Sequence, residues 1–212
     1  MLGMNKPYVP LHVHSEYSLL DGAIRIKDLI NFAKENGMPA VALTDHGVMY
    51  GDMELYTTAK ENGVKPILGC EFYVHDGDIA EHNKLHNPCY HLVLLAKDKT
   101  GYANLIKLVS DAWCKGRYVH PRINFEMIKE HKDGLICLSA CLGGEVLQNL
   151  LKGDKEKAFE VAKQYQDLFG EDYYIELQDH GIDEQKRTNP DLISIAKELN
   201  IKMVITNDSH YL

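Results

Sequence analysis

Short apolar runs and segments of helical spacing alternate along the whole chain. The apolar runs are rich in β-branched residues and are bounded by turn residues, which is typical of strands. They predict seven strands, at residues 8–13, 40–44, 66–74, 90–96, 134–139, 172–177 and 202–206. Between them, apolar residues spaced three and four apart predict helices near residues 25–36, 51–62, 99–113, 143–151, 154–169 and 184–199. Alternating strands and helices indicate an α/β fold.

The predicted strands are almost continuously apolar, which separates them from strands that expose one face. Strands of this kind are buried on both faces, as in a parallel sheet that is covered by helices. Seven such units favour a barrel, and an open doubly wound sheet is the alternative. In both architectures, functional residues gather where the carboxyl ends of the strands meet.

The composition fits one domain. The chain has 212 residues, of which 45% are hydrophobic and 25% charged, so it can bury one ordinary core and we predict a single domain over residues 1–212. Its apolar runs are far shorter than the roughly 18 residues that a membrane span requires. The N-terminus lacks the basic and apolar regions of a secretory leader, so we expect a cytoplasmic protein without a membrane partner.

The charge and the cysteines narrow the function further. The net charge of −8 argues against a surface that binds along duplex nucleic acid, because neutralising phosphates requires many Lys and Arg residues. The end of a single strand in a metal cleft is still compatible with this charge. The five cysteines lie singly in or beside apolar segments, which is typical of reduced thiols or metal ligands rather than of a disulfide framework.

Histidines and acids stand at the ends of several predicted strands. His12 and His14 end the first strand, and Asp208 and His210 follow the last one. Residues i and i+2 of a strand point to the same face, so each pair can direct two ligands at one ion. The same end of the predicted sheet also receives His46, Glu71 and Cys141. The sequence therefore predicts a metal site assembled from both ends of the chain.

The ligand types indicate a class of metal and a class of reaction. A mixture of imidazole, carboxylate and thiolate groups suits Zn, Mn or Fe, and there are more candidates than one tetrahedral ion can use. We therefore expect more than one divalent metal, and hydrolysis is the natural chemistry of such a cluster. The sequence contains no Walker-type phosphate loop, no Gly-x-Ser-x-Gly elbow and no dinucleotide fingerprint after a strand.

Over nearly its whole length the chain resembles the PHP (polymerase and histidinol phosphatase) domain, in the form carried by the alpha subunit of bacterial DNA polymerase III. The resemblance is carried by the segments His12-Val-His-Ser-Glu-Tyr-Ser-Leu-Leu-Asp-Gly22, Ala42-Leu-Thr-Asp-His-Gly47, Pro66-Ile-Leu-Gly-Cys-Glu71, Tyr90-His-Leu-Val-Leu-Leu-Ala96, Leu138-Ser-Ala-Cys-Leu-Gly-Gly-Glu145 and Ile205-Thr-Asn-Asp-Ser-His-Tyr211. The Leu-Asp-Gly motif and the Thr-Asn-Asp-x-His-Tyr motif distinguish this branch from the histidinol phosphatases.

The resemblance implies a distorted seven-stranded (β/α) barrel with a cleft for two or three divalent metals. Nine positions match the family's ligand set, namely His12, His14, Asp21, His46, Glu71, His91, Cys141, Asp208 and His210. Asp21 and His91 enter this set through the resemblance alone, because Asp21 lies in a predicted loop and His91 begins its strand. The family continues beyond this point, so the chain is expected to be an excised or truncated part of a longer polymerase.

The resemblance also implies a function. It indicates a 3′→5′ exonuclease or related phosphoesterase, in which a metal-bound water held by His12, His14, Asp208 and His210 attacks a DNA 3′ end. The alternative is a catalytically silent domain that metals stabilise and that docks other polymerase domains or replisome subunits. An amidohydrolase is a third, weaker interpretation, since the sequence has no evident candidate for a carboxylated lysine at a strand end.

Three further groups of residues have alternative interpretations. Asp45 is expected to support the site from behind rather than to bind metal, because it points away from His46 on a regular strand. His180, at the end of the sixth predicted strand, is a candidate for substrate contact. The local basic cluster Lys115, Arg117 and Arg122 could form a phosphate-contacting edge, although a solvated face is slightly favoured.

Overall fold

A curled mixed β-sheet with helices on its outer side forms the framework of the protein. The computed structural model describes residues 8–19, 21–82 and 88–212. In these ranges the strands are β1 Ala40–Leu43, β2 Lys65–His75, β3 Cys89–Ala96, β4 Arg117–Tyr118, β5 His120–Asn124, β6 Leu135–Leu138, β7 Tyr173–Leu177 and β8 Lys202–Ile205. The helices are α1 Ile26–Glu35, α2 Asp52–Glu61, α3 Lys99–Cys114, α4 Phe125–Glu130, α5 Glu145–Leu151, α6 Lys155–Phe169 and α7 Asp183–Glu198.

Most of the predicted elements are present. Six of the seven predicted strands coincide with β1, β2, β3, β6, β7 and β8, and all six predicted helices are found. The prediction of a regular strand at 8–13 is wrong, because Val13 forms only an isolated bridge to Ser209 there. The short hairpin of β4 and β5 and the short helix α4 were not predicted.

The sheet is mixed, whereas the apolar runs predicted parallel strands. Its order is β4-β5-β2-β3-β6-β7-β8, with β1 also paired to β2. The pairs β1–β2, β2–β5, β6–β7 and β7–β8 are parallel, and β3 is antiparallel to both β2 and β6. The structure shows no crossover helix in the described residues between β2 and β3, and a direct return of this kind gives an antiparallel pair.

The segment from Pro10 to His14 joins the two edges of the curled sheet. On one side it accepts hydrogen bonds of 2.9 Å from the backbone amides of Ala42 and Thr44. On the other side Val13 forms a bridge with Ser209, just beyond β8. The sheet therefore curls into a distorted barrel of the predicted kind, and residues from both ends of the described chain meet along one seam.

The core lies on both sides of the sheet. Helix α1 is an example of amphipathic spacing. One face of the helix forms an apolar stripe that is buried, made of Ile26, Leu29, Ile30 and Ala33. A small cluster that includes Val93 and Leu138 fills the inside of the barrel. No helix in the described ranges combines the length and the apolar character needed to cross a bilayer.

The two ends of the barrel differ in chemistry. At the end where β1 begins, an apolar cavity of about 820 Å³ opens to solvent, lined by residues that include Leu11, Ile67, Tyr174 and Val204. At the opposite end, the lining consists of histidines and acids. This polar end is where the candidate site lies.

Candidate metal centre

The nine candidate ligands converge at the polar end of the barrel. His12 and His14 lie in the segment that closes the barrel, His46 follows β1, and Asp208 and His210 follow β8. His91 lies near the start of β3, yet it reaches the same end because β3 is antiparallel to β2. The remaining members of the group come from three places, namely Asp21 before α1, Glu71 in β2 and Cys141 after β6.

The carboxylate of Glu71 lies at the centre of the group. It is 1% exposed, and its Oε1 lies 3.2 Å from Nε2 of His12 and 2.9 Å from Nδ1 of His91. Its Oε2 lies 2.6 Å from Nδ1 of His46. The thiol of Cys141 lies 3.8 Å from Oε1 on the same side. Glu71 thus contacts residues from four different segments of the chain.

Asp208 occupies the seam where the barrel closes. Its Oδ1 lies 3.3 Å from Nε2 of His12 and 3.1 Å from Nε2 of His14. Its φ of +46° is unusual for a residue other than glycine, and such conformations are enriched at functional sites. At the outer edge, Asp21 is 51% exposed, and its Oδ2 lies 3.0 Å from Nε2 of His46 and 3.7 Å from Nε2 of His210.

Three sets of ligand atoms are close enough to hold an ion. In each set the candidate atoms lie within 4.8 Å of one another, and the sets are His12, His14 and Glu71; His14, His46 and His210; and Glu71, His91 and Cys141. Nε2 of His12 and Nε2 of His14 are buried and lie 3.3 Å and 3.1 Å from the buried Oδ1 of Asp208, but within the described residues none of these three atoms makes a contact with the geometry of a hydrogen bond. Buried polar atoms normally have partners, and a divalent cation between them would supply one. The residues present therefore fit divalent metal ions.

Opposite charges in the cluster shift the pKa values of its members. Burial alone would raise the pKa of Glu71, but close contacts with the imidazoles of His12, His46 and His91 hold that pKa well below its ordinary value. Burial likewise lowers the pKa of His12, but Glu176 and Glu71 outweigh burial and hold it well above its ordinary value. The cluster thus keeps its central carboxylate ionised.

The pKa values of His14 and Asp208, in the same cluster, are both lowered. Burial lowers the pKa of His14, although Asp208 and Glu71 act in the opposite direction. For Asp208, burial raises the pKa, but the close contact with His14 and the charge of His12 overcome burial and bring its pKa to about 2. A carboxylate that stays ionised beside a neutral imidazole is the form in which both groups bind a metal.

Two carboxylates behind the site fix the orientation of the histidines. Oε1 of Glu176 in β7 accepts a hydrogen bond of 2.6 Å from Nδ1 of His12, which leaves Nε2 of His12 directed into the cluster. Asp45 accepts hydrogen bonds from Ser15 and from Ser18, whose hydroxyl lies 3.0 Å from Nδ1 of His14. The expected supporting role of Asp45 agrees with these contacts. Glu176 was missed, although an acid between the apolar residues Ile175 and Leu177 was a visible signal.

Replacing Glu176 with glutamine is expected to weaken divalent metal binding by about 10- to 100-fold. The change keeps the volume of the side chain but removes the negative charge that makes the imidazole of His12 a stronger metal ligand. Titration against a fluorescent chelator measures the affinity, and Glu198→Gln, on the exposed end of α7, removes the same charge elsewhere. Equal affinities for the two variants would show that Glu176 does not support the site.

The other candidates have been placed by the structure as well. Nε2 of His180 lies 2.8 Å from the carbonyl oxygen of Asn207, and its Nδ1 accepts from Gln185 at 2.9 Å, so both of its ring nitrogens are already engaged. Arg122 is fully buried and donates to backbone carbonyl groups, including those of Ile79 and Glu81. Arg122 therefore cannot belong to a phosphate-contacting edge on the surface.

The fold is an α/β barrel that carries a candidate metal centre at its polar end. The family model described as "PHP domain" matches residues 10–180. The chain belongs to the PHP domain family. This finding confirms the family that the sequence motifs indicated.

Curated relatives with high identity are polymerase subunits. The chain is 48% identical over 208 residues to a DNA polymerase III subunit alpha of Treponema pallidum, and the match covers 96% of this chain and 18% of the relative. It is 46% identical over 215 residues to the corresponding subunit of Deinococcus radiodurans, covering 97% of this chain and 16% of the relative. The chain thus spans less than a fifth of the length of these relatives.

Solved structures share the fold at low sequence identity. An amidohydrolase from Chromobacterium violaceum has a TM-score of 0.61 and 18% identity, over 95% of this chain and 87% of that one. A putative metal-dependent phosphoesterase from Bifidobacterium adolescentis has a TM-score of 0.59 and 16% identity, over 97% of this chain and 90% of that one. These likenesses confirm the barrel-type α/β fold.

Proposed function

We propose that this chain is the metal-dependent phosphodiesterase domain of a replicative DNA polymerase, and that it removes nucleotides from a DNA 3′ end. The observation that carries the proposal is the complete set of nine candidate ligands facing one cleft, with buried nitrogen and oxygen atoms that lack other partners. The polymerase subunits among its relatives support a role in DNA replication, and hence a cytoplasmic location. Other polymerase domains, and through them replisome subunits, would be its partners.

The nine residues would hold two or three divalent ions, for which Zn, Mn and Fe are the candidates by ligand type. Bound there, the ions would supply an activated water and a Lewis acid for a phosphoryl oxygen. Side chains of the protein itself would orient the ligands and supply charge. Glu176 orients His12, the ionised Glu71 and Asp208 contribute negative charge to the ligand set, and Asp21 lies at the edge that remains open to solvent.

Asp208→Asn is expected to lower hydrolysis by on the order of 100-fold or more, since it removes an anionic ligand at nearly constant volume. The assay follows release of nucleotide from a 3′-labelled single strand, and cleavage of bis(p-nitrophenyl) phosphate, with Mn or Zn present. His12, His14 and His210 belong to the same proposed catalytic group, so their alanine variants should lose activity as well. Asp183→Asn is the matched control, because the side chain of Asp183 is 98% exposed.

The outcome separates the proposal from its main alternative. Loss of hydrolysis in Asp208→Asn, with an unchanged circular dichroism spectrum, would assign the chemistry to the cluster. Equal trace hydrolysis in wild type and Asp208→Asn would identify a contaminating nuclease. In that case the domain would be catalytically silent, and the open apolar cavity at the other end of the barrel would favour a docking role.

A further inference from the structure

The hairpin of β4 and β5 packs directly against the residue that follows the candidate ligand His46. Gly47 has a φ of +62°, and a Cβ atom at this position would lie 2.6 Å from Cγ of Pro121 in β5. The indole of Trp113 donates a hydrogen bond of 2.8 Å to the carbonyl oxygen of Gly47. Any larger residue at position 47 would push the hairpin outward. Glycine thus allows the hairpin to approach the metal cleft closely.

His120, the first residue of β5, lies one aromatic ring away from the candidate ligands. Its ring stacks on Tyr73, with centroids 4.3 Å apart and an interplanar angle of 21°. Tyr73 follows Glu71 by two positions in β2, so both side chains leave the same face of the strand. The Tyr73 ring lies 6.2 Å from the ring of His46 and 5.3 Å from the ring of His91.

His120 and Tyr73 keep their polar atoms free beside this cleft. Both side chains are partly exposed, and their polar atoms form no hydrogen bond with the part of the chain that the structure describes. By contrast, His12 and His46 each use a ring nitrogen on a neighbouring carboxylate. Two uncommitted donors therefore lie next to the cluster.

The turn before His120 holds a conformation that its sequence disfavours. Val119, between Tyr118 and His120 of the paired strands, has a φ of +63° and is 76% exposed. A β-branched residue rarely adopts this left-handed conformation, and such strain persists where the surrounding structure imposes it. The docked hairpin thus holds His120 in a fixed place.

We infer that His120 and Tyr73 bind a non-bridging phosphate oxygen of the substrate, on the side of the cleft formed by the β4–β5 hairpin. This inference rests on the proposed function and adds to it the side chains that hold the phosphate. The ligand class is a phosphate ester, because neutral donors beside a metal centre complement the negative oxygens of a phosphate that the metals also attract. His120 lies outside the nine candidate ligands and binds substrate rather than metal.

The test uses inorganic phosphate as the probe and the metal-loaded protein, measured by isothermal titration calorimetry. His120→Phe keeps the ring that stacks on Tyr73 but removes both nitrogens, and it is expected to weaken phosphate binding about tenfold. His120→Gln keeps a donor near the position of Nε2 and is expected to stay within about threefold of wild type. Tyr73→Phe removes only the hydroxyl and should weaken binding by a smaller factor than His120→Phe.

Metal content by elemental analysis and the kinetics of hydrolysis complete the experiment. We expect the metal content to be unchanged in all variants and the KM to be raised in His120→Phe. His131→Phe, at the end of α4, is the control. Loss of metal from His120→Phe, or phosphate affinity equal to wild type, would overturn it. If wild type shows no hydrolysis while phosphate binding still depends on His120, the proposed function fails and this inference stands.

Discussion

Removing divalent metal with a chelator is expected to lower the melting temperature of this protein by roughly 10 to 30 °C. Ions that bind the native barrel and not the unfolded chain stabilise it by about 3–4 kcal/mol for each well-saturated site. For a domain of this size, each kcal/mol corresponds to about 2–4 °C. Without metal, Nε2 of His12, Nε2 of His14 and Oδ1 of Asp208 are buried and make no well-formed hydrogen bond with the described residues.

The stabilising effect of metal should grow as the pH rises. Glu176 and Glu71 outweigh the effect of burial and raise the pKa of His12 above its ordinary 6.5. In the metal-free protein, the stability that comes from the charged His12 is therefore complete below pH 6.5 and is lost as the pH rises through the raised pKa. Metal binding requires neutral imidazole, so the loaded protein gains affinity over the same range.

Thermal unfolding of loaded, chelated and reloaded samples between pH 6 and pH 8 measures both effects. Reloading with Zn or Mn should restore the melting temperature and so exclude damage by the chelator. An unchanged melting temperature after complete metal removal would contradict the proposal that the nine residues hold tightly bound ions.

Asp52→Ala is expected to stabilise the protein by about 2–4 kcal/mol at pH 9 and to have an effect within about 1 kcal/mol at pH 5. Asp52 begins α2, is 1% exposed, and neither of its carboxylate oxygens forms a hydrogen bond in the described residues. Burial, and after it the charge of Asp45, raises the pKa of Asp52 from 3.8 to about 8. The folded protein thus binds this proton more tightly than the unfolded chain.

The sign of the pH effect follows from that difference. Because the pKa of Asp52 is higher in the folded state, the stability of the wild type falls as the pH rises from about 4 to 8 and stays low above that range. The stability of Asp52→Ala does not fall with pH for this reason. Urea unfolding at pH 5, 7 and 9 measures the difference, with the exposed Asp183→Ala as control. If the difference in unfolding free energy between wild type and Asp52→Ala does not change with pH, Asp52 has another partner.

The sequence predicted those parts of the fold in which local pattern and tertiary burial agree. The apolar runs at β1, β2, β3, β6 and β7 are largely buried as the pattern indicated, whereas β8 is mostly exposed. The hairpin of β4 and β5 has no such run, because it contains Pro121 and Arg122. The buried Arg122 donates to the carbonyl oxygens of Ile79 and Glu81, which lie 43 and 41 residues away in the chain. A sequence pattern does not reveal partners of that kind.

The candidate site was predictable where ligands end parallel strands. Asp208 and His210 follow the parallel strand β8, and His12 and His14 flank Val13, which bridges in parallel to Ser209, whereas His91 breaks the rule because its strand runs the opposite way. Asp21 lies outside any strand, so only the resemblance to the family pointed to it. Glu176 was overlooked because a buried acid in an apolar strand needs a partner from elsewhere, and the first histidine of the chain supplies that partner.

The closure of the barrel along one seam also sets an order of events during synthesis. His12 and His14 leave the ribosome early, but Asp208, which contacts both, is among the last of the described residues to be made. Closing so long a loop has an entropic cost that grows slowly with its length, and the proposed ion, shared by both ends, would act as a cross-link between them. The concentration of free metal would then determine when the barrel of a newly synthesised chain closes.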